Sequence, residues 1–515
     1  MGAGASELSF PMTSLRLKRN SAFNLAGGLL PAVAALATVP LIVHGLGADG
    51  YGLLVLVTSI VGYFALLDVN ITAGSTKYVA EHHARGDAQR VNQTVCFGLL
   101  IYLGIGLVGA LALFSSAGWL AQAVFSVAPA QHALAEAALK VAALGFLFGQ
   151  VQIYLQSIPQ ALMRYDVTGR FEAAFGLAVP LGTVALLVAG YGLLAVVWLR
   201  VLLSLLNAAL LAASIRRLLP TLAWARPDRA TMHGMGSFSA YAFLSRVASL
   251  SYAHGDKLII GAVVGMKPLA VYAVAATLGN RVLGMMYRVS AVLFPAASAL
   301  SARGDEARLQ SIYLKASRYV VYVNLSALLL IEVFAEPLLR HWMGMEFSIG
   351  GALILQLVSL GQFVDSLSNL PSLVNDGRGH PKVTGLFALT RAALGLGLVY
   401  ALVSRFQIVG AAWGNLLSGL VMVLAFIVYV HGRTVPVPLM TLLRRGWCVP
   451  MLGATAIAAL TALLNQFTGD SVRHLAALVL LAMGLLVAYG WRFVLLGPDR
   501  LALGRVLRAR FARTA

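Results

Sequence analysis

Apolar runs long enough for one helical crossing of a bilayer, about 20 residues each, follow one another along almost the whole chain. Short polar turns separate them. The pattern predicts six spans in the first half, at 22–46, 51–75, 93–116, 139–162, 171–191 and 194–215. Six more follow at 237–264, 269–299, 311–335, 350–374, 383–403 and 408–430, with two further spans at 447–465 and 474–496. The expected fold is an all-α polytopic membrane protein of 14 transmembrane helices. Outer turns are short, as at Gly47-Ala48-Asp49-Gly50 and Gly265-Met266-Lys267-Pro268. The longest outer segment, 117–138, is expected to form an interfacial helix with Trp119 at headgroup level. No loop is large enough to house a catalytic domain, so an enzyme is not expected.

One turn occurs twice. Ala84-Arg85-Gly86-Asp87, with Arg90 three residues on, recurs 218 residues later as Ala302-Arg303-Gly304-Asp305 with Arg308. The same offset takes Gly192, at the start of one apolar run, to Gly410 at the start of another. A period holding six spans predicts two copies of a six-helix unit, residues 1–218 and 237–435, joined by a cytoplasmic linker at 219–236. Two extra helices and a basic tail occupy 436–515. Because six is even, the copies keep one orientation, related by an axis along the membrane normal, which is an arrangement of secondary transporters.

Composition narrows the class. Hydrophobic residues make up 59% and charged residues 11%, and mean hydropathy is +0.84, far from the soluble average of about 25% charged. Lys and Arg number 38 against 19 Asp and Glu. Positive-inside topology accounts for that excess better than nucleic-acid binding does. With a cytoplasmic N-terminus, carried by Arg16, Lys18 and Arg19, the inner segments hold 26 of the 38 basic residues and the outer segments 5. Both termini are therefore expected in the cytoplasm, with no cleavable signal segment. Cys96 and Cys448 fall at inner span ends, so no disulfide framework is expected. The tail from Asp499 to Ala515 alternates arginines with Leu501, Leu503, Val506, Leu507 and Phe511, and is expected to lie as a helix on the anionic inner leaflet.

The remaining seven basic residues lie inside spans. Arg200, Arg391 and Arg492 are expected to snorkel from span ends. Arg246, Lys257, Arg281 and Arg288 sit deeper, and each would cost about 2.5–3.5 kcal/mol facing lipid. Arg281 and Arg288 are seven residues apart, and Arg246 and Lys257 eleven apart, so each pair shares a helix face. The four are expected to line one water-filled cavity with Tyr252, Asn280 and Tyr287, Asp256 partly neutralising Lys257. Such a cationic cavity suits a phosphate-bearing anion. A purely structural alternative pairs these cations with Asp68, Asp365 or Glu332 to lock helices together. Asp68, Asp256, Glu332 and Asp365 are also candidates for coupling transport to protons or sodium. Gly104-Ile105-Gly106-Leu107-Val108-Gly109 matches a dinucleotide-binding pattern, but it lies inside an apolar span and reads as small-residue helix packing. His82-His83 has no partners at metal-ligand spacing; no metal and no cofactor is expected.

Several segments resemble the Wzx-type polysaccharide (O-antigen or repeat-unit) flippases of the multidrug/oligosaccharidyl-lipid/polysaccharide exporter superfamily. They are Asn24, Leu46-Gly47-Ala48-Asp49-Gly50-Tyr51-Gly52, Leu67-Asp68 and Lys77-Tyr78-Val79-Ala80-Glu81, then Asp256-Lys257-Leu258-Ile259-Ile260-Gly261 and Val271-Tyr272-Ala273. The likeness covers most of residues 15–435. It implies a flippase moving undecaprenyl-pyrophosphate-linked oligosaccharide across the bacterial inner membrane by alternating access. Lipid-linked pyrophosphate is the implied cargo, membrane lipids and a polysaccharide polymerase the implied partners. A lipid II-type flippase and, from another class, a membrane-embedded polymerase or glycosyltransferase remain alternatives; the latter would need a large outer loop with catalytic side chains.

Overall fold

In the computed structural model, residues 14–67, 71–290, 293–467 and 471–501 are described; they are mostly helical, joined by turns and short irregular segments, with no strand among them. The helices are α1 (Ser14–Phe64), α2 (Ile71–Ala84), α3 (Ala88–Trp119), α4 (His132–Ala161), α5 (Tyr165–Val188) and α6 (Leu193–Leu218). They continue as α7 (Arg229–Val263), α8 (Met266–Ser290), α9 (Leu293–Ala302), α10 (Glu306–Met343), α11 (Met345–Gly377) and α12 (Pro381–Arg433). A single turn, α13 (Leu439–Thr441), precedes α14 (Cys448–Gln466) and α15 (Val472–Tyr489). Among the described residues, ten helical segments are long and apolar enough to cross a membrane. All-helical architecture follows from the solvent: within hydrocarbon a helix satisfies its own backbone N–H and C=O groups. Two of the ten segments hold a break, at Gly47 (φ 71°) in α1 and at Gln407 (φ 50°) in α12. In α12 the two limbs fold back on each other, because a Cβ on Gly410 would lie 2.2 Å from the Leu402 carbonyl oxygen.

Contacts divide the chain into two compact units, Met1–Phe243 and Leu244–Ala515. In the first, α3 shows how sequence sorts a membrane helix. Leu103, Leu107, Leu111 and Phe114 recur on one face and are exposed, as a lipid-facing stripe requires. The opposite face is small. A Cβ on Gly98 would fall 2.2 Å from the Tyr154 ring, one on Gly109 2.2 Å from Phe146, and one on Gly106 2.8 Å from Leu147, all on α4. These glycines permit close helix approach. Tyr102 and Tyr154 then stack at 5.2 Å, and the Tyr154 hydroxyl donates to the Val95 carbonyl at 3.0 Å. The segment after α6 is strapped to α3: Asn92 Nδ2 donates to the Thr221 carbonyl at 2.9 Å and the Ala225 N–H to Cys96 Sγ at 3.5 Å. Both cysteines are free.

In the second unit α11 packs against α8, α10 and α12, while α14 and α15 attach to α10. Tyr322 of α10 donates to the Leu486 carbonyl, and Tyr489 of α15 donates to the Val449 carbonyl at 2.9 Å.

The duplicated turn recurs with the same backbone bonds from its glycine onward. Gly86 (φ 72°) and Gly304 (φ 69°) both sit in the left-handed region that favours glycine. Each donates three residues back, to His83 and Ser301, and the aspartate that follows donates five back, to His82 and Leu300. Asp87 and Asp305 then cap the next helix, accepting from the Arg90 and Arg308 N–H groups. The same 218-residue offset relates Gly47 (φ 71°) to Gly265 (φ 113°).

The 117–138 segment departs from expectation. Instead of an interfacial helix, α3 runs on to Trp119, which is 63% exposed, and a π-helical turn at Leu120–Val124 leads through Pro129–Gln131 into α4. The helix simply overshoots, and Pro129 opens the next one. Beyond Leu501 the expected tail helix lies outside the described residues.

Candidate functional site

Polar chemistry in the second unit gathers where α7, α8, α11 and α12 meet. Asp365 of α11 accepts from the Tyr252 hydroxyl of α7 at 2.8 Å and from Arg391 Nη2 of α12 at 2.8 Å. The guanidinium also lies over the Tyr252 ring, 4.3 Å from its centre. Gln362 Nε2 donates to the same hydroxyl at 2.7 Å. Gly419 leaves room for the pair, since a Cβ there would lie 3.2 Å from Arg391. A cavity of about 560 Å³ opens beside this cluster, lined by Ser368, Asn369, Ser372 and Thr384 among others.

A smaller cavity of about 250 Å³ shares Tyr252 and Gln362 with it. On its wall Asp256 accepts from the Tyr272 hydroxyl at 2.6 Å and from Asn415 Nδ2 at 3.3 Å. Lys257 Nζ lies 3.3 Å from the same carboxylate and donates to the Ala253 carbonyl at 2.8 Å. Charge next to charge in sequence thus becomes a neutralised pair, which offsets part of the cost of burying either charge.

The expected residues therefore divide. Lys257, Asp256, Tyr252 and Asn280 meet at the small cavity. Arg281, next to Asn280, is exposed and lies outside that cavity's lining. Arg246, Arg288 and Tyr287 have side chains outside the described residues, and Asp68 lies outside them altogether. Glu332 is on α10, with Oε1 buried and without a hydrogen-bond partner among the described residues. Asp365 does find an arginine, but one that sequence reading had placed at a span end. Arg391 lies ten residues into α12 from Pro381, about 15 Å along the helix and half the thickness of a hydrocarbon core of about 30 Å. Instead of reaching past the helix end, it pairs with Asp365. Arg200 is seven residues into α6, and its Nε is buried without a partner among the described residues. Arg492 is exposed beside Phe493, as a span-end arginine should be. Among the described residues no group of three His, Cys, Asp or Glu side chains could hold a metal.

Residues 46–348 match the family described as polysaccharide biosynthesis protein. The chain belongs to that family. A Shigella flexneri protein named as an O-antigen transporter is 21% identical over 417 residues, covering 76% of this chain and 93% of that protein. The fold is similar to that of the lipid II flippase MurJ in an inward closed conformation, with TM-score 0.73 and 15% identity over 92% of this chain and 98% of that one. It is also similar to an inward-facing multidrug resistance MATE transporter of the MOP superfamily, with TM-score 0.65 and 14% identity over 80% of this chain and 98% of that one. The family member described here is a multi-pass membrane protein with a transporter fold. The proteins it is similar to are named as transporters and a flippase.

Proposed function

We propose that this chain is a flippase carrying undecaprenyl-pyrophosphate-linked oligosaccharide repeat units across the bacterial inner membrane by alternating access. The observation that carries the reading is Arg281. It lies within α8, exposed and with no ion-pair partner among the described residues, whereas Lys257 and Arg391 each have an aspartate. An unpaired cation inside a membrane span costs about 2.5–3.5 kcal/mol, and an anionic cargo returns that cost as binding energy. Arg288 follows two turns later, about 10 Å along the same face. Two guanidinium forks so spaced suit successive contacts with a pyrophosphate, each fork matching phosphate oxygens in bidentate fashion. Arg246 and Lys257 extend the path along α7, and the polyprenyl tail stays in lipid.

In this reading the six-helix bundles at 1–218 and 237–435 rock against each other about the linker at 219–236, with both termini cytoplasmic and 436–515 as an accessory pair. Protons or sodium supply the coupling. Of the carboxylates Asp68, Asp256, Glu332 and Asp365, Asp256 and Asp365 already hold cations. Glu332, with its unpartnered Oε1, is the group best suited to take up a proton. A polysaccharide polymerase is the expected downstream partner.

The test is polymer export measured against membrane abundance for Arg281→Ala and Arg281→Lys. Export should fall roughly tenfold or more, the scale of one charge-assisted hydrogen bond, with abundance near normal. Lysine should rescue only in part, because an ammonium cannot reproduce the fork. Near-normal export from Arg281→Ala would remove the pyrophosphate contact from the reading.

A further inference from the structure

The first unit holds a cavity of about 510 Å³ between α1, α4, α5 and α6, within the range of small-ligand sites. Arg200, Ser204 and Asn207 of α6 line it, four and three residues apart and so on one face. Two of its polar groups are unsatisfied. Asn207 is 5% exposed, yet its Oδ1 has no partner among the described residues. The buried Nε of Arg200 has none either, and no carboxylate among the described residues pairs with that guanidinium. Gln156 and Glu172, also on the wall, are already engaged with each other at 2.7 Å. Buried polar atoms are rarely left unpaired without a reason. Here a donor on a fixed cation and an acceptor lie about 10 Å apart along one helix.

A ligand completing both must present an acidic group at one end and a hydroxyl donor at the other. A pyrophosphate fits poorly: it is compact, offers no donor, and brings more negative charge than one guanidinium balances. A short glycan with one carboxylate balances the single guanidinium, and its hydroxyls supply donors both for Asn207 and for the Glu172 carboxylate on the same wall. Phe171 and Phe175 add apolar ring faces, stacked 6.2 Å apart and within 5° of parallel on the cavity wall.

We propose that this cavity is a glycan subsite that reads an acidic sugar, its carboxylate held by Arg200 and a hydroxyl by Asn207. The inference rests on the reading of the cargo as a lipid-linked oligosaccharide and adds where its sugar end is recognised. The test uses the full chain in nanodiscs of uncharged phospholipid, titrated calorimetrically with a glucuronate-bearing disaccharide, its neutral glucose counterpart and inorganic pyrophosphate. The acidic disaccharide should bind about tenfold or more tighter than the neutral one. Arg200→Gln should erase that preference, and Asn207→Leu should weaken both sugars, with melting temperatures confirming folded protein. Equal affinity for the two disaccharides, no binding of either, or a preference that survives Arg200→Gln would overturn the proposal. So would loss of pyrophosphate binding in Arg200→Gln, which would make the cavity a phosphate site. If the disaccharides behave as stated while wild-type protein fails to bind pyrophosphate, the subsite stands and the pyrophosphate-linked cargo falls.

Discussion

Arg391 joins α12 to α11 by donating to Asp365 across 2.8 Å, with side chains only 16% and 20% exposed. Removing one member of such a pair strands the other charge, which costs about 3–5 kcal/mol, whereas replacing both with apolar groups is often neutral. Arg391→Leu and Asp365→Leu should each lower the thermal midpoint in detergent, and the double variant should recover most of the loss. A double variant as unstable as the two losses summed would show that the contact carries no coupling.

Packing in α3 makes a sharper comparison, because two nearby glycines meet different surroundings. A Cβ on Gly98 would collide with the Tyr154 ring at 2.2 Å, while one on Gly104 meets nothing within 4 Å. Gly98→Ala should therefore destabilise by about 1–3 kcal/mol through overpacking. Gly104→Ala should be neutral or slightly stabilising, since alanine is the better helix former. Thermal melts of the two variants decide it, and an equal loss in both would mean that α3 and α4 are not packed through this face.

Most of the architecture was legible because its causes are local. Apolar runs mark spans, glycines at positive φ mark turns, and Asp87 and Asp305 cap whatever follows them. The pairings were not legible, because they depend on distant helices. Asp256 beside Lys257 could be read from adjacency, but nothing local ties Asp365 to Arg391, which are 26 residues apart. Arg391 and Arg200 were assigned to span ends by proximity to predicted boundaries. Those boundaries, 383 and 194, fall within two residues of the helix starts at Pro381 and Leu193; only the fold shows that Arg391 meets Asp365 and that Arg200 Nε is buried. Cys96 was read as a span-end thiol, and its hydrogen bond to the Ala225 N–H, which ties down the linker, needed the fold.

Ten residues beyond the end of α15 at Tyr489, Asp499 is a pH-sensitive fastening. Hydrogen bonds from Lys315 at 2.6 Å and from Tyr319 hold its carboxylate below the ordinary range. A depressed carboxylate stabilises the folded attachment fully above its unfolded value of about 3.9, and that contribution is lost as pH falls through the folded value. Hydrogen-exchange protection at residues 495–501, corrected for the intrinsic pH trend, should therefore be high and constant from neutral pH down to about pH 4, then fall. Asp499→Asn should exchange faster throughout and lose the acid step; a step that persists in that variant would assign it to another group.

Gly86 and Gly304 are equivalent turns, and equivalence predicts both how they tolerate substitution and where they lie. At φ 72° and 69°, an alanine would pay the left-handed penalty of about 1–2 kcal/mol, while asparagine tolerates that region better. Alanine at either site should destabilise by a similar amount, and asparagine by less. If six spans separate the two turns, as the proposed parallel duplication requires, they lie on one face of the membrane, and the basic residues beside them make the cytoplasm the expected side. Single cysteines at Arg85 and Arg303, in a chain whose Cys96 and Cys448 are replaced by serine, should both resist a membrane-impermeant maleimide in intact cells and react once the inner membrane is opened. Labelling of one but not the other in intact cells would place an odd number of spans between them and break the parallel duplication.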